Sequence, residues 1–519
     1  MDNKKIKIVS IISVIALALT LVAATYAYFV AQTGEGAQTD IKINANTVDA
    51  FTFEVGSALN LSLNQENFAS GKGNQTGTTF AKAMLSANNK TNTATEHYYL
   101  YLNISNNTFT YSIDNNTPEI LLSIKDGSNN EITTLTGLTY KTVTDGKGAS
   151  IKGFDITNKK GLITILNNRE ITTTSTKTEE WNVTVTFVNY NSNQAGNAGK
   201  SFNAKLMIQK EEYKLPTLAE YVVSQYTGTQ GDNGIYYHNS SLANGAGDNS
   251  YRYAGASESV NNFICFGSTT SPCPTDNLYR IIGVFGENNH GVTGKQLVKL
   301  IKYDYATSNL LGTDGDYKDS STPGSTYKGS LSKVDRYYWN SKATNKASNT
   351  WSTSLLNKIN LNTNYLNNIG TTWSNLIEDA TWKVSGHSTR SVTPSEMYTA
   401  EITNATKTYG PSDGTSKIGL MYVSDYGFAA SPSAWTTKMS LYNNSSITSA
   451  NWMYMGFDEW TISPYSSNSF SVFTLNNAGY VNNFAAGADY GSRPVLYLKA
   501  SVLYAGGLGT KDSPITLVV

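Results

Sequence analysis

The stretch Trp181-Asn182-Val183-Thr184-Val185-Thr186-Phe187 alternates apolar and polar side chains without a break. Successive side chains of a β-strand point to opposite faces of a sheet, so this pattern predicts a strand with one buried face. Other short segments of strand character, separated by turns rich in Asn, Gly and Thr, lie on both sides of it: Ile41–Ile43, Phe51–Val55, Tyr98–Ile104, Ile120–Ile124, Leu162–Leu166 and Phe202–Leu206. Repeated short strands of this kind predict a jelly-roll-like β-sandwich over residues 38–212.

The rest of the chain, residues 235–519, is rich in Trp and Tyr and mixes strand patterns with short helical ones. Leu278–Phe285 and Gln296–Ile301 predict a buried hairpin, and Leu420–Val423 predicts another buried strand. The sequence Thr393-Pro394-Ser395-Glu396 has the residues of a helix N-cap with a capping box. We therefore expect a mixed α+β domain here.

A linker is predicted between the two domains, over residues 213–234. Pro216 would begin a helix there, with Leu218 and Val222 on one face and Gly228 beyond its end. This helix would mark the boundary between the domains.

Residues 1–31 have the pattern of an export signal. Three lysines precede a mainly apolar run without charged residues, Ile8–Ala24, which is the order found in secretory signals. Small residues predict cleavage between Ala27 and Tyr28, with Ala24 as a second candidate; an uncleaved segment that spans the membrane is the alternative. In both cases the rest of the chain would lie outside the cytoplasm, at the cell surface or beyond it.

The composition excludes one class of partner. The 519 residues carry 39 basic and 39 acidic side chains, so no electrostatic attraction to nucleic acid is expected. Only 15% of residues are charged, and Tyr, Gly, Asn, Ser and Thr supply most of the polarity. This balance is typical of an extracellular β-protein.

The chain has two cysteines, Cys265 and Cys273, separated by a short loop. In an oxidising compartment they are expected to form a disulfide. Two buried free thiols are the alternative. No second Cys or His pair at ligand spacing accompanies them, so a zinc site is not predicted.

The segment Ala24-Thr25-Tyr26-Ala27-Tyr28-Phe29, followed by a β-module of this size, resembles exported proteins of the camelysin/TasA type. The resemblance implies processing by a dedicated signal peptidase and a jelly-roll sandwich that forms biofilm-matrix fibres. In such fibres the processed N-terminal strand of one subunit completes a sheet of the next. Tyr28, Phe29 and Val30 would belong to that donor strand. A sandwich that does not polymerise and serves as a stalk is the alternative.

The segments Asn277–Gly283, Trp460–Pro464 and Arg493–Lys499 resemble a family of uncharacterised surface domains of gut-type Firmicutes and relatives. The resemblance implies a C-type-lectin-like fold, shared with formylglycine-generating enzymes, but no single function, because this fold hosts unrelated activities. Cys265 and Cys273 do not take the place of the active-site cysteines of those enzymes. The calcium-binding motifs of sugar-binding lectins are missing as well.

No catalytic residue, metal site or cofactor is predicted. Asp314, Asp316 and Asp319 form the best acidic cluster, but no Glu closes a calcium loop, so we expect a solvated turn. Arg280 and Arg493 are expected to be structural and to pair with a buried acid or with carbonyl groups.

Aromatic residues form the candidate recognition surface. Trp435, Trp452 and Tyr454 lie in a region rich in Gly, Ser and Asn, and flat aromatic rings suit contact with a glycan or a protein. Packing of the same residues in the core is the alternative.

These features favour a structural or adhesive protein on the surface or in the matrix of a Gram-positive-type bacterium, and they do not favour an enzyme. The sandwich would anchor the chain or assemble into fibres. The lectin-like domain would be displayed for adhesion to a host or community surface. The alternative function is a non-polymerising surface receptor that binds a glycan or a small ligand.

Overall fold

A computed structural model describes residues 49–64, 72–87, 93–270, 272–340, 347–403 and 414–519. The predicted export segment, its cleavage site at Ala27 and Tyr28, the donor residues Tyr28–Val30 and the strand predicted at Ile41–Ile43 lie outside the described residues. Within the described ranges, no helix is both long and apolar enough to cross a membrane. Strand makes up 38% and helix 17%, so the protein is mainly β, and it divides into two compact units, residues 1–214 and 215–519.

The described residues of the first unit form ten strands in two antiparallel sheets. One sheet has the order β1-β3-β9-β5-β7-β6 and the other the order β2-β10-β4-β8. The strands are β1 Ala50–Val55, β2 Leu59–Ser62, β3 Gln75–Ser86, β4 Ala94–Asn107, β5 Ile120–Asp126, β6 Tyr140–Thr144, β7 Ser150–Asp155, β8 Gly161–Thr173, β9 Thr176–Phe187 and β10 Ser201–Gln209. Every predicted strand within the described residues of this unit is confirmed.

One core joins the two sheets of the first unit. Val183 and Val185 of β9 are fully buried and share an apolar cluster with Leu100 and Leu102 of β4, which belongs to the other sheet. The alternating pattern that predicted β9 therefore corresponds to an inward face packed on the facing sheet. This arrangement fits a β-sandwich.

The second unit is built around a seven-stranded sheet of order β11-β12-β14-β15-β25-β20, with β13 also paired to β14. Its strands are β11 Ile235–His238, β12 Ser250–Tyr253, β13 Phe263–Cys265, β14 Leu278–Phe285, β15 Leu297–Lys302, β16 Tyr317–Ser321, β17 Val334–Tyr338, β18 Ala380–Trp382, β19 Gly414–Ser416, β20 Ile418–Gly419, β21 Glu459–Pro464, β22 Ser471–Leu475, β23 Val481–Ala485, β24 Asp489–Tyr490, β25 Val495–Tyr497, β26 Tyr504–Gly506 and β27 Thr516–Leu517. β14 and β15 form the predicted buried hairpin.

Short helices alternate with these strands along the chain. The α-helices are Leu218–Ser224, Glu287–His290, Ser308–Leu311, Leu366–Asn368, Thr371–Ser374, Pro394–Tyr398, Val423–Ala429 and Ser445–Ser449, and Leu356–Tyr365 and Thr399–Thr403 are π-helical. The capping box predicted at Thr393 is present, with Glu396 as its acidic member.

The helix predicted as a linker belongs to the second unit. It begins at Leu218 rather than at Pro216, because Thr217 caps it through a capping box with Glu220, and it ends at Ser224. Leu218 and Val222 share a face as predicted, and both are buried in the core of this unit. Burial of that face makes the helix an integral element of the unit.

The strand predicted at Leu420–Val423 is wrong. β20 covers only Ile418–Gly419, and a helix begins at Val423. The backbone N–H groups of Tyr422 and Val423 donate to carboxylates, those of Asp425 and Glu401 respectively, and so are not available to a neighbouring strand.

Candidate functional site

Five charged side chains meet inside the second unit, and we call them the buried ion cluster: Asp248, Arg252, Lys299, Glu401 and Asp425. Their side chains are at most 5% exposed. Charged groups are rarely buried to this extent unless they are paired, because removal from water costs several kcal/mol per ion.

The central sheet positions the two cations of the cluster. Lys299 lies in the middle of β15 and is in register with Gly283 of β14 on one side and Tyr497 of β25 on the other. Arg252 lies on β12, which also pairs with β14. The residues next to Lys299 on β15, Val298 and Leu300, are buried and apolar, so the strand itself offers this ammonium no partner.

The helix Val423–Ala429 and the segment before β12 supply the opposing charges, Asp425 and Asp248 respectively. Asp425 Oδ2 accepts from Lys299 Nζ at 2.5 Å, and Asp425 Oδ1 lies 3.6 Å from Arg252 Nη1. Arg252 Nη2 also donates to Asp248 Oδ2 at 2.8 Å. Asp425 therefore bridges the two cations, and the chain Lys299, Asp425, Arg252 and Asp248 contains two charges of each sign.

Glu401 adds a third carboxyl group. Its Oε1 accepts from the backbone N–H of Val423 at 2.9 Å and its Oε2 from that of Ser424 at 3.1 Å, while the Ser463 hydroxyl donates to Oε1. Burial raises the pKa of Glu401 to about 7, and the nearby charge of Asp425 acts in the same direction. A carboxyl with a pKa in this range can both give and take a proton near neutral pH.

The pKa of Asp248 is shifted in the opposite direction to that of Glu401. Burial alone would raise its pKa, but the charge of Arg252 and hydrogen bonds from Ser250 and Tyr398 outweigh burial and hold the pKa well below the ordinary 3.8. Because the folded-state pKa is depressed, the stability contributed by ionised Asp248 is present above pH 3.8 and is lost as the pH falls through the folded pKa.

At low pH, the Asp248 carboxylate should therefore contribute less to the free energy of unfolding. We expect the destabilisation caused by Asp248→Asn to shrink as the pH is lowered from about 5 to about 2, as measured by urea unfolding at a series of pH values. The exposed Asp512→Asn is the control, with almost no effect at any pH. If the free energies of unfolding of wild type and Asp248→Asn differed by the same amount at every pH in this range, the depressed pKa of Asp248 would be contradicted.

The aromatic residues predicted as a ligand surface lie in the core. Trp435 and Trp452 are 1% exposed and Tyr454 is 7% exposed. The indole N–H of Trp435 donates to the Ala430 carbonyl, and that of Trp452 donates to the Tyr253 carbonyl. In the folded protein these side chains expose almost no surface to a ligand. They pack in the core, which was the alternative to a ligand surface.

The remaining candidates take structural positions. Cys265 and Cys273 form the predicted disulfide. Arg280 donates to the Asn262 and Ser257 side chains and to backbone carbonyls, and Arg493 pairs with buried Glu459.

The predicted acidic cluster is not one site. Asp319 pairs with Lys318 and Arg336, whereas Asp316 is fully buried and accepts from the backbone N–H of Leu356, so the expected solvated turn is wrong for Asp316. In the described part of the chain, no group of three or more His, Cys, Asp or Glu side chains is arranged to hold a metal ion.

Sequence reasoning missed the buried ion cluster. A signal for it was present, because Lys299 interrupts the apolar run Leu297-Val298-Lys299-Leu300-Ile301 in a strand predicted to be buried. A lysine at the centre of such a strand needs a buried partner. The identity of that partner, 126 residues away, could not be read from the pattern.

No model of a known protein family matches the sequence, and no curated protein matches it.

Proposed function

We propose that this chain is a structural and adhesive protein of a bacterial cell surface or extracellular matrix. Its first unit would join copies of the chain into fibres by strand addition, and its second unit would be displayed. The observation that carries this proposal is the β10 segment Lys205–Gln209, one side of which pairs with no strand of the described residues.

β10 has two different sides. On one side it pairs with β4 from Phe202 to Gln209, and on the other side β2 pairs only with residues 201–204. Among the described residues, no strand pairs with the β2 side of Lys205–Gln209. Backbone N–H and C=O groups along such an edge can accept a strand from another chain.

An apolar cluster includes a side chain of this β10 segment. Ile208 of β10 is half-buried and belongs to the same apolar cluster as Phe51 and Phe53 of β1. The rings of Phe51 and Phe53 lie 6.1 and 6.2 Å from the ring of buried Tyr98. An incoming apolar strand would cover this half-buried surface, at about 25 cal/mol for each Å² removed from water.

The segment Tyr28-Phe29-Val30 has the chemistry of such a strand, since aromatic and β-branched residues favour sheets. It lies ahead of β1 in the sequence, outside the described residues. Cleavage after Ala27 would place it at a new N-terminus that is free to reach a neighbouring subunit.

Light scattering coupled to size exclusion, together with negative-stain microscopy, tests this proposal. Protein that begins at Tyr28 is expected to form filaments, and protein that begins at Thr39 is expected to remain monomeric. Ile208→Asp should abolish assembly by placing a charge in the apolar cluster. Lys205→Asp, an exposed charge change on the same strand, should not.

If protein that begins at Tyr28 and protein that begins at Thr39 were both monodisperse monomers, assembly by strand addition would be rejected. The chain would then be better described as a non-polymerising receptor, and glycan-array binding by the second unit would become the decisive measurement.

A further inference from the structure

Lys299 and Asp425 are a reactive pair as well as an ion pair. Lys299 Nζ lies 2.5 Å from Asp425 Oδ2, so the amine nitrogen is within reach of the carboxyl carbon. The two residues are 126 positions apart and lie on different elements, β15 and the helix Val423–Ala429. Both side chains are at most 2% exposed, so water has little access to them.

Aromatic rings enclose the lysine. Its Nζ lies 4.3 Å from the ring centroid of Tyr422, and those of Phe285, Tyr497 and Trp382 lie within 5.6 Å. Burial lowers the pKa of Lys299, which raises the fraction of the neutral amine at neutral pH. The neutral amine is the nucleophilic form of lysine.

The neighbouring groups suit attack on the Asp425 carboxyl. Arg252 Nη1 lies 3.6 Å from Oδ1, where its positive charge would stabilise negative charge that develops on that oxygen. The backbone N–H of Tyr422 donates to Oδ2 at 3.1 Å and holds the carboxyl in place. Glu401 interacts electrostatically with both Lys299 and Asp425.

We propose that Lys299 and Asp425 condense into an intramolecular isopeptide bond. In the reaction, Lys299 Nζ forms a bond to Asp425 Cγ while the bond from Cγ to Oδ2 breaks. Starting from the ammonium and the carboxylate, the nitrogen gives up the two protons that leave with Oδ2 as water and keeps the third, so no oxidant or other co-reactant is needed. Glu401, which interacts electrostatically with both residues, would carry a proton from the nitrogen to the departing oxygen and end in its starting protonation state.

The amide would tie the central sheet to the helix Val423–Ala429. Charge balance survives the reaction, because Arg252 keeps its partner Asp248 after Asp425 becomes an amide. The cross-link lies wholly within the second unit and is independent of the proposed strand addition in the first.

Mass spectrometry of the intact full chain, reduced to open the disulfide, tests the proposal. We expect a mass that is lower than the sequence mass by one molecule of water. Trypsin should fail to cut after Lys299, and residues 296–302 should be recovered joined to residues 418–438. The sequence mass, with normal cleavage after Lys299, would overturn the proposal, and so would a loss of water without the joined peptide.

Variants then assign the roles. Lys299→Met and Asp425→Ala should each restore the full sequence mass, apart from the substitution, and Glu401→Gln should slow or prevent the loss of water. Lys302→Met is the matched control, because Lys302 is also buried on β15 but has no hydrogen-bond partner among the described residues. It should retain the cross-link. A complete cross-link in Glu401→Gln would overturn the role of Glu401, and the wild-type mass decides the bond itself even if a variant fails to fold.

Discussion

Replacing Arg493 with methionine is expected to lower the free energy of unfolding of the second unit by about 3 to 5 kcal/mol. The guanidinium donates from Nε to Glu459 Oε1 at 2.7 Å and from Nη2 to Glu459 Oε2 at 2.9 Å, and both side chains are 2% exposed. Methionine fills similar space but leaves the Glu459 carboxylate buried without its cation. Urea unfolding followed by tryptophan fluorescence measures the loss.

Two further variants distinguish the cost of leaving the Glu459 charge unpaired from the cost of lost packing. Adding Glu459→Gln to Arg493→Met removes the uncompensated charge and should recover part of the lost stability. Arg336→Met removes a partly exposed arginine that pairs with Asp319 and Asp489, and it should cost no more than about 1 kcal/mol. Equal losses for Arg493→Met and Arg336→Met would show that burial does not set the cost.

The strands of the first unit were predictable where the inward side chains are large and apolar. β9 is the clearest example, because Val183, Val185 and Phe187 face the core and polar residues separate them. β3 was missed although it is 12 residues long. Its inward positions include Ala81 and Ala83, which give little hydrophobic contrast along the strand.

The buried ion cluster shows a different limit. The sequence places Lys299 in a buried strand, and elementary electrostatics then requires a partner for its charge. Which of 39 acidic residues takes that place depends on how β15 packs against a helix that follows it by more than 100 residues. Hydrophobic periodicity reports which face of an element is buried and contains no information on pairing between distant elements.

The aromatic residues were ambiguous for a related reason. A tryptophan in a segment rich in Gly, Ser and Asn has the same sequence signature whether its ring is in the core or on a binding surface. In the described part of the second unit, Gly456 and Gly479 both have positive φ, a backbone conformation that glycine adopts readily and that tight turns use. Glycine at these positions therefore reflects backbone conformation rather than exposure.

Trp452→Ala is the experiment that separates these interpretations, and we expect it to destabilise the second unit by about 3 to 5 kcal/mol. The ring is 1% exposed, its N–H donates to the Tyr253 carbonyl at 2.8 Å, and the Arg280 guanidinium lies 4.8 Å from the ring centroid. Alanine would leave a cavity, an unsatisfied carbonyl and a less well packed guanidinium. Urea unfolding with circular dichroism as the signal measures the change.

Trp452→Phe is the matched control, because it keeps most of the apolar volume and removes the hydrogen-bond donor. It should cost about 1 to 3 kcal/mol, the penalty for a buried carbonyl without a partner. If Trp452 is a core residue, stability should decrease from wild type to Trp452→Phe and further to Trp452→Ala. A Trp452→Ala protein as stable as wild type, but with weakened binding on a glycan array, would instead place this ring in a recognition surface that opens only when a ligand is bound.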